Sequence, residues 1–240
     1  MRKAYENGHR VVLVVATRGE QGEVPDGFLD HGEQLWQRRV RETHAAAEIL
    51  GAERVEFLGY RDSGMMGEPT NDEPGSFWTV PVEEAAEKLA AILREENADV
   101  LTCYDDFGGY GHPDHIQVHR VGMRAAELAG TPRVYQATQN REQLIKGMSG
   151  LADQARALGL DVPEAADMSR IGKPAAEITA AVDVTGYLDY KRKAMRAHGS
   201  QIAEDSFFLA LPDEFFAVAF GTEWFIRAGQ GPGITETDLL

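Results

Sequence analysis

Short apolar runs alternate along this chain with longer stretches of helical periodicity, and this alternation limits the fold more than any other feature. Residues 11–15 (VVLVV) contain no polar side chain, as expected for a strand that is buried on both faces of a sheet. A second apolar run at residues 99–104 leads directly into a turn and another helical stretch. The pattern predicts an α/β domain in which helices cover a largely parallel sheet.

The same pattern sets the element boundaries that we expect. The predicted strands are residues 9–16, 54–58, 99–104, 132–137 and 180–184, and the predicted helices are residues 33–50, 82–96, 113–128 and 187–198. A chain of 240 residues can bury one large core, so we predict one domain over residues 1–240. Residues 143–173 show no clear chemical signature, and we expect residues 138–180 to form a less regular insertion on the substrate side.

The charge of the chain narrows the choice of partners. A formal net charge of −15 disfavours nucleic acid and anionic membranes, so we expect a small-molecule substrate. No stretch has the apolar length of a membrane span, and the first residues do not resemble a signal peptide. We therefore expect a cytoplasmic protein, and the sequence is compatible with a homo-oligomer.

The candidate functional site is a glycine-rich turn at residues 104–115 (YDDFGGYGHPDH). Pro113 suits the first position of a helix, where its missing N–H would have no helical partner, and His112 would then be the cap. Ligands of open α/β sheets bind at the carboxyl ends of the strands, which is where this turn lies. Its two histidines and three aspartates are residue types that suit metal-assisted hydrolysis.

Within this turn, His115 is the first candidate metal ligand, because neutral imidazole is a common ligand of zinc. His112 could share the metal or act on the substrate, and His119 could pair with His115 one helical turn away. Cys103 is the only cysteine, which excludes a cysteine-rich zinc site, and we expect it to pack in the core. The alternative interpretation is a polar loop followed by an ordinary helix cap.

Four segments together resemble the PIG-L/LmbE family of zinc-dependent N-acetylglucosaminyl de-N-acetylases, which includes mycothiol-pathway enzymes. Residues 104–115 are similar to the second signature of the family, and residues 17–23 (TRGEQGE) are similar to its loop after the second strand. Residues 61–65 (RDSGM) resemble a sugar-binding loop, and residues 196–201 (RAHGSQ) resemble a motif near the C-terminus of the family. The resemblance implies a Rossmann-like, mostly parallel sheet with helices on both faces.

The resemblance also implies a reaction, a cofactor and residue roles. The chain would remove the acetyl group from an N-acetylglucosamine-type conjugate with one Zn²⁺ ion, and His115 would be a zinc ligand. His112, oriented by Asp114, would stabilise the oxyanion or protonate the leaving amine, and Tyr110 would donate to the oxyanion. The residues that would contact sugar hydroxyls are Arg39, Asp62 and Glu23.

One family signature is not found in this sequence. It is a segment of the Ala-His-Pro-Asp-Asp-Glu type, which in the family supplies two further ligands and the aspartate base. Asp105, Asp106 or His119 could substitute, but catalytic zinc sites usually have three protein ligands. Residues 1–8 look like the end of the helix that follows that signature, with Gly8 as its stop. We therefore expect an N-terminally truncated chain that lacks the first strand, with the remaining ligands upstream of Met1.

Two functional hypotheses follow from these observations. The first is a zinc-dependent deacetylase that is catalytically incomplete as the sequence stands, with a loop at residues 61–65 closer to the thiol-precursor deacetylases than to the conjugate amidases. The second is a metal-free carbohydrate-binding or regulatory pseudoenzyme that has kept the sugar-contacting loops. Glycoside binding in the presence of a chelator, without amide hydrolysis, would favour the second.

Overall fold

The computed structural model describes residues 1–157 and 170–240. The strands in this part of the chain are β1 (Val12–Val15), β2 (Arg54–Phe57), β3 (Val100–Tyr104), β4 (Arg133–Thr138), β5 (Ala180–Asp183) and β6 (Thr222–Arg227). The α-helices are α1 (Arg2–Glu6), α2 (Leu35–Leu50), α3 (Val82–Glu95), α4 (Pro113–Ala129), α5 (Arg141–Ala157), α6 (Leu188–Arg196), α7 (Phe207–Ala210) and α8 (Asp213–Phe220). The α/β class is thus confirmed.

The strands form two separate sheets. β1 and β2 pair in parallel as one sheet, and the second sheet has the order β3-β4-β6-β5. β3 and β4 are parallel, whereas β6 runs antiparallel to both of its neighbours. Within residues 1–157 and 170–240, no strand pairs with the second edge of β1 or with the outer edge of β3. Both open edges belong to strands that lead into loops of the candidate site.

One hydrophobic cluster connects the two sheets. Its centre is the contact between α3 and α4, where Ala86, Ala90 and Ala125 are fully buried. Val14 of β1 and Leu101 of β3 pack against this same cluster. Because protein interiors are close-packed, this pair of helices fixes β1 and β3 relative to each other.

Most predicted elements are present with small changes at their ends. The helix predicted at residues 33–50 begins at Leu35, because Gln34 and Gln37 form a reciprocal capping box at its start. The apolar run at residues 215–220 belongs to α8, and β6 follows it almost at once. Of the uncertain region 143–173, residues up to 157 belong to α5, and residues 158–169 lie outside the described residues.

Two further details bear on the sequence predictions. Cys103 is buried against the backbone of α4 at Gly122, and burial raises the pKa of its thiol to about 12, as suits a packing residue. No helix in the described residues is both long and apolar enough to cross a membrane.

We predict that Ala90→Leu lowers the free energy of unfolding by about 1–3 kcal/mol, because the added side chain would enter the closed contact between α3 and α4. The matched control is Ala91→Leu, since Ala91 is the next residue of α3 and is exposed. Urea denaturation of both variants checks the prediction. Equal midpoints for the two variants would contradict the proposed role of this contact.

Candidate active site

A buried carboxylate shapes the glycine-rich loop. Asp105 has no exposed surface, and its Oδ1 accepts hydrogen bonds from the main-chain N–H groups of Phe107 (3.1 Å) and Gly109 (2.9 Å). Its Oδ2 accepts from the Thr138 hydroxyl at 2.6 Å, which ties the loop to the end of β4. This set of bonds holds the backbone of the loop in a single position between β3 and α4.

The loop in turn fixes the imidazole of His115. The Nδ1 atom of His115 lies 3.1 Å from the carbonyl oxygen of Gly108, so Nδ1–H donates there and Nε2 keeps its lone pair. Gly108 has φ +63°, and a Cβ atom at this position would lie 2.6 Å from Cβ of His115. Burial, helped by the neighbouring His112, lowers the pKa of His115 to about 4, so the imidazole is neutral at pH 7.

Three further rings surround this imidazole. Tyr104 stacks face to face on His115, with ring centroids 4.1 Å apart and planes 4° apart. Tyr110 meets it edge-on at 5.1 Å, and the ring of His112 lies 4.9 Å away. Tyr110 is half exposed, so its hydroxyl remains accessible to a ligand. The rings restrict rotation of His115, and because Nδ1 is already engaged, Nε2 is its candidate ligand-binding atom.

His112 is the cap residue of α4, as predicted. Its Nδ1 accepts a hydrogen bond from the main-chain N–H of Asp114 at 3.1 Å. Burial lowers the pKa of His112, while the charge of Asp62 opposes that shift. A neutral imidazole that accepts through Nδ1 carries its proton on Nε2, so His112 can donate one hydrogen bond to a ligand.

The side chain of Asp114 has a different partner from the predicted one. Its Oδ2 accepts from the main-chain N–H of Ser63 at 3.2 Å, and its buried Oδ1 has no partner among the described residues. Contact with His112 runs instead through the main-chain N–H of Asp114. Burial, with a smaller contribution from the charge of Asp62, raises the pKa of the Asp114 carboxyl to about 7.

The residues predicted to contact sugar hydroxyls meet at the loop of residues 17–23. The Asp62 carboxylate accepts from the main-chain N–H groups of Gln21 (3.2 Å) and Gly64 (2.9 Å). The Arg39 guanidinium lies against Gly19, and its buried Nε has no partner in the described part of the chain. The carbonyl oxygen of Glu23 accepts from the Gln201 side chain at 2.9 Å, which brings the 17–23 loop to the 196–201 segment.

One buried side chain on this side of the site, Glu42, was not predicted from the sequence. Glu42 on α2 is 7% exposed, and its carboxylate accepts from the Ser200 N–H at 2.8 Å and from the Ser200 hydroxyl at 2.7 Å. The two residues are 158 positions apart. The only local signal was an acidic residue within the helix that carries Arg39, and such residues are usually solvated.

The residues that are present do not fit a complete zinc site. In the described ranges, no group of three or more histidine, cysteine, aspartate or glutamate residues could hold a metal ion. The predicted substitutes have other partners: Asp105 holds the loop, Asp106 pairs with Lys173 at 2.5 Å, and His119 Nδ1 contacts the Tyr104 carbonyl at 3.1 Å. Nε2 of His115 is therefore the candidate metal-binding atom that remains, because Nδ1 of His112 already accepts from the main-chain N–H of Asp114.

Comparison with known sequences gives consistent matches. The family described as PIG-L, GlcNAc-PI de-N-acetylase, matches residues 1–126. A 1D-myo-inositol 2-acetamido-2-deoxy-α-D-glucopyranoside deacetylase of Geodermatophilus obscurus is 39% identical over 259 residues, covering 96% of this chain and 87% of that protein. The deacetylase of the same name from Thermobifida fusca is 39% identical over 267 residues, covering 100% of this chain and 91% of its own length.

Solved structures agree at the level of the fold. An N,N'-diacetylchitobiose deacetylase from Pyrococcus horikoshii has a TM-score of 0.55 at 22% identity, covering 94% of this chain and 75% of that one. GalB, a 4-carboxy-2-hydroxymuconate hydratase from Pseudomonas putida, has a TM-score of 0.56 at 18% identity, covering 99% of this chain and 90% of its own. Because a deacetylase and a hydratase share this fold, the fold alone does not decide the reaction.

We predict that Asp105→Ala lowers the free energy of unfolding by roughly 2–4 kcal/mol, since two loop N–H groups lose a charged acceptor. Asp105→Asn is the matched control, because its one carbonyl oxygen can still accept from both N–H groups. We expect the Asn variant to lose clearly less stability in urea denaturation. Equal losses would show that these hydrogen bonds do not shape the loop.

A second prediction concerns pH. The folded Asp114 carboxyl keeps its proton up to a pKa of about 7, whereas the pKa of an aspartate in the unfolded chain is 3.8. The stability that this shift contributes is therefore present below pH 3.8 and is lost as pH rises through about 7. The free energy of unfolding of Asp114→Asn should therefore rise by up to about 4 kcal/mol relative to that of wild type as pH increases over this range.

Urea denaturation at several pH values between 4 and 8 measures that difference. Asp26→Asn, a substitution of an exposed loop aspartate, is the control and should leave the pH profile unchanged. A constant difference between wild type and Asp114→Asn across this range would contradict the raised pKa.

Proposed function

The chain belongs to the PIG-L family of GlcNAc-PI de-N-acetylases, and from this we propose that it hydrolyses the acetamide of an N-acetylglucosamine joined to inositol. Its relatives from Geodermatophilus obscurus and Thermobifida fusca carry the name of a deacetylase for that glycoside. The observation that best supports the proposal is the cluster of Tyr110, His112 and His115 beside Asp62, since it joins amide-directed donors to a sugar-binding carboxylate.

In this proposal, the two donors of the glycine-rich loop act on the acetamide oxygen. Hydrolysis of an amide builds negative charge on that oxygen in the transition state, and fixed donors stabilise it most when they are aimed before the reaction begins. His112 would donate through Nε2–H, because the helix N–H of Asp114 occupies its Nδ1. Tyr110 would donate through its hydroxyl. This makes oxyanion stabilisation the better supported of the two roles predicted for His112.

The amino sugar would bind between the loop after β1 and the start of α2. Arg39 and Asp62 would hold its hydroxyl groups, and Glu23 would lie at the open end of this region. The buried Arg39 Nε without a partner in the described residues is consistent with a polar ligand, because unsatisfied buried donors are costly. Glu42 and Ser200 would act as positioning residues, since their hydrogen bonds join the 196–201 segment to α2.

Zinc is proposed as the cofactor, with His115 Nε2 as one ligand. The Nδ1–H bond to Gly108 is the kind of contact that orients histidine ligands of metals. The described residues do not supply the two further protein ligands that a catalytic zinc site usually has.

One observation favours a second candidate function. Because the described residues contain no group able to hold a metal by themselves, a metal-free carbohydrate-binding module would explain a preserved sugar region without hydrolysis. It predicts that glycoside binding survives a chelator, whereas a deacetylase needs its metal for turnover.

Because His115 is the candidate zinc ligand that the described residues supply, the proposed function is tested by whether the purified chain, incubated with zinc, releases acetate from the inositol glycoside of N-acetylglucosamine. His115→Ala should reduce this release at least about 100-fold, as is typical when a metal site is disrupted. His119→Ala is the matched control, since His119 lies one turn further along α4 and is proposed to have no role. Acetate release and bound zinc are measured together for all three proteins.

Three outcomes separate the hypotheses. Acetate release that depends on His115 but not on His119 supports the deacetylase. Release that is unchanged in His115→Ala contradicts the zinc assignment. Glycoside binding by calorimetry that persists in a chelator, with no acetate release at any zinc concentration, would replace the deacetylase by the binding module.

A further inference from the structure

A cationic cavity lies beside the glycine-rich loop, and the proposed deacetylation chemistry does not use it. Its volume is about 310 Å³, and the residues that line it are Asp106, Phe107, Arg141, Arg170 and Lys173. The whole chain has a formal net charge of −15, whereas three cationic side chains surround this one cavity. Such a local field attracts anions from solution.

Within residues 1–157 and 170–240, the contacts inside the cavity leave part of this charge uncompensated. Lys173 is neutralised by Asp106, whose Oδ1 lies 2.5 Å from Nζ. Arg141 donates to the carbonyl oxygens of Ile171 (3.1 Å) and Gly172 (2.6 Å), which orient it without cancelling its charge. Among the described residues, the two arginines therefore have no carboxylate partner at this cavity.

Arg170 is the most available of these cations. It is exposed, and its guanidinium carbon lies 4.4 Å from the centre of the Phe107 ring. Stacking on an aromatic face holds a guanidinium in place and leaves its N–H groups free to donate at the edge. A guanidinium presents donors in a planar fork that fits phosphate and carboxylate oxygens.

The backbone keeps this cavity close to the proposed active site. Lys173 N–H donates to the Gln139 carbonyl at 2.8 Å, and Arg141 N–H donates to the Lys173 carbonyl at 3.0 Å, so both basic residues are held at the end of β4. Gly172 N–H lies 3.5 Å from the carbonyl oxygen of Gly109. The cavity and the oxyanion donors are thus built on the same loop, residues 105–112.

We propose that this cavity binds an anionic oxygen group, a phosphate or a carboxylate, carried by the part of the substrate beyond the amino sugar. The inference rests on the proposed function, because it makes the cavity a second subsite of the same reaction. Arg141, Arg170 and Lys173, which lie in the predicted substrate-side insertion, would then determine specificity. The chain would prefer a negatively charged glycoside to the neutral inositol glycoside.

The test compares two substrates in four proteins. The substrates are the neutral inositol glycoside of N-acetylglucosamine and the same glycoside with a phosphate monoester on the inositol ring. The proteins are wild type, Arg170→Gln, Arg170→Lys and Lys146→Gln, the last being a control on α5 that does not line the cavity. Arg170 is exposed, so thermal melting should be unchanged in its variants.

We expect the phosphorylated glycoside to have the higher kcat/KM in wild type. Arg170→Gln should lower that kcat/KM about tenfold, as is typical for loss of a hydrogen bond to a charged group. The kcat/KM for the neutral glycoside should not change. Arg170→Lys should restore part of the preference, and Lys146→Gln should change neither substrate. Hydrolysis of both substrates at equal kcat/KM, with no effect of Arg170→Gln, would overturn the subsite while leaving the deacetylase intact.

Direct binding keeps the inference testable if neither glycoside is hydrolysed, an outcome that would count against the proposed function alone. Titration of wild type and Arg170→Gln with inorganic phosphate, followed by amide chemical shifts at residues 106–109 and 170–173, reports on the cavity itself. Saturable shifts in wild type that weaken about tenfold in the variant would support an anion site. Shifts that are absent, or equal in the two proteins, would exclude it.

Discussion

The buried carboxylate of Asp105 is the constraint on which the candidate site depends. It accepts from two N–H groups of the loop and from the hydroxyl of Thr138, so a single side chain joins β3, the glycine-rich turn and β4. A carboxylate in this position is stabilised by its three donors, which offset much of the cost of burial. The Gly108 carbonyl that orients His115 belongs to the segment that these bonds shape.

Local signals made much of this region predictable. Residues 99–128 form the expected strand, turn and helix, since an apolar run, a cluster of glycines and Pro113 each act over a few residues. The meeting of the 17–23, 61–65 and 104–115 loops was also foreseeable, because they follow strands whose carboxyl ends face the same region. The burial of Cys103 follows from its place in an apolar strand.

Other features depend on contacts that a sequence does not display. The separation of β1 and β2 from the larger sheet, and the antiparallel insertion of β6 between β4 and β5, are set by pairing between distant segments. The bond of Glu42 to Ser200 joins residues 158 positions apart. The side chain of Asp114 accepts a hydrogen bond from the main-chain N–H of Ser63, which belongs to a different loop. Proximity along the chain had suggested His112 as its partner instead. The cationic cavity likewise combines three segments, at residues 106–107, at Arg141 and at residues 170–173.

Gly108 is subject to more structural requirements than Glu23, another residue of the proposed site. Its positive φ disfavours other residues, a Cβ atom would collide with His115, and its carbonyl must face the imidazole. A residue that could adopt the positive φ would still place its Cβ atom too close to His115. We therefore expect substitutions of Gly108 to disrupt the site, although Gly108 is not itself a proposed contact of the substrate. Glu23, a proposed sugar contact, is not subject to a comparable combination of structural demands. The fold should therefore tolerate substitutions at Glu23 more readily than substitutions at the glycine whose carbonyl aims the imidazole.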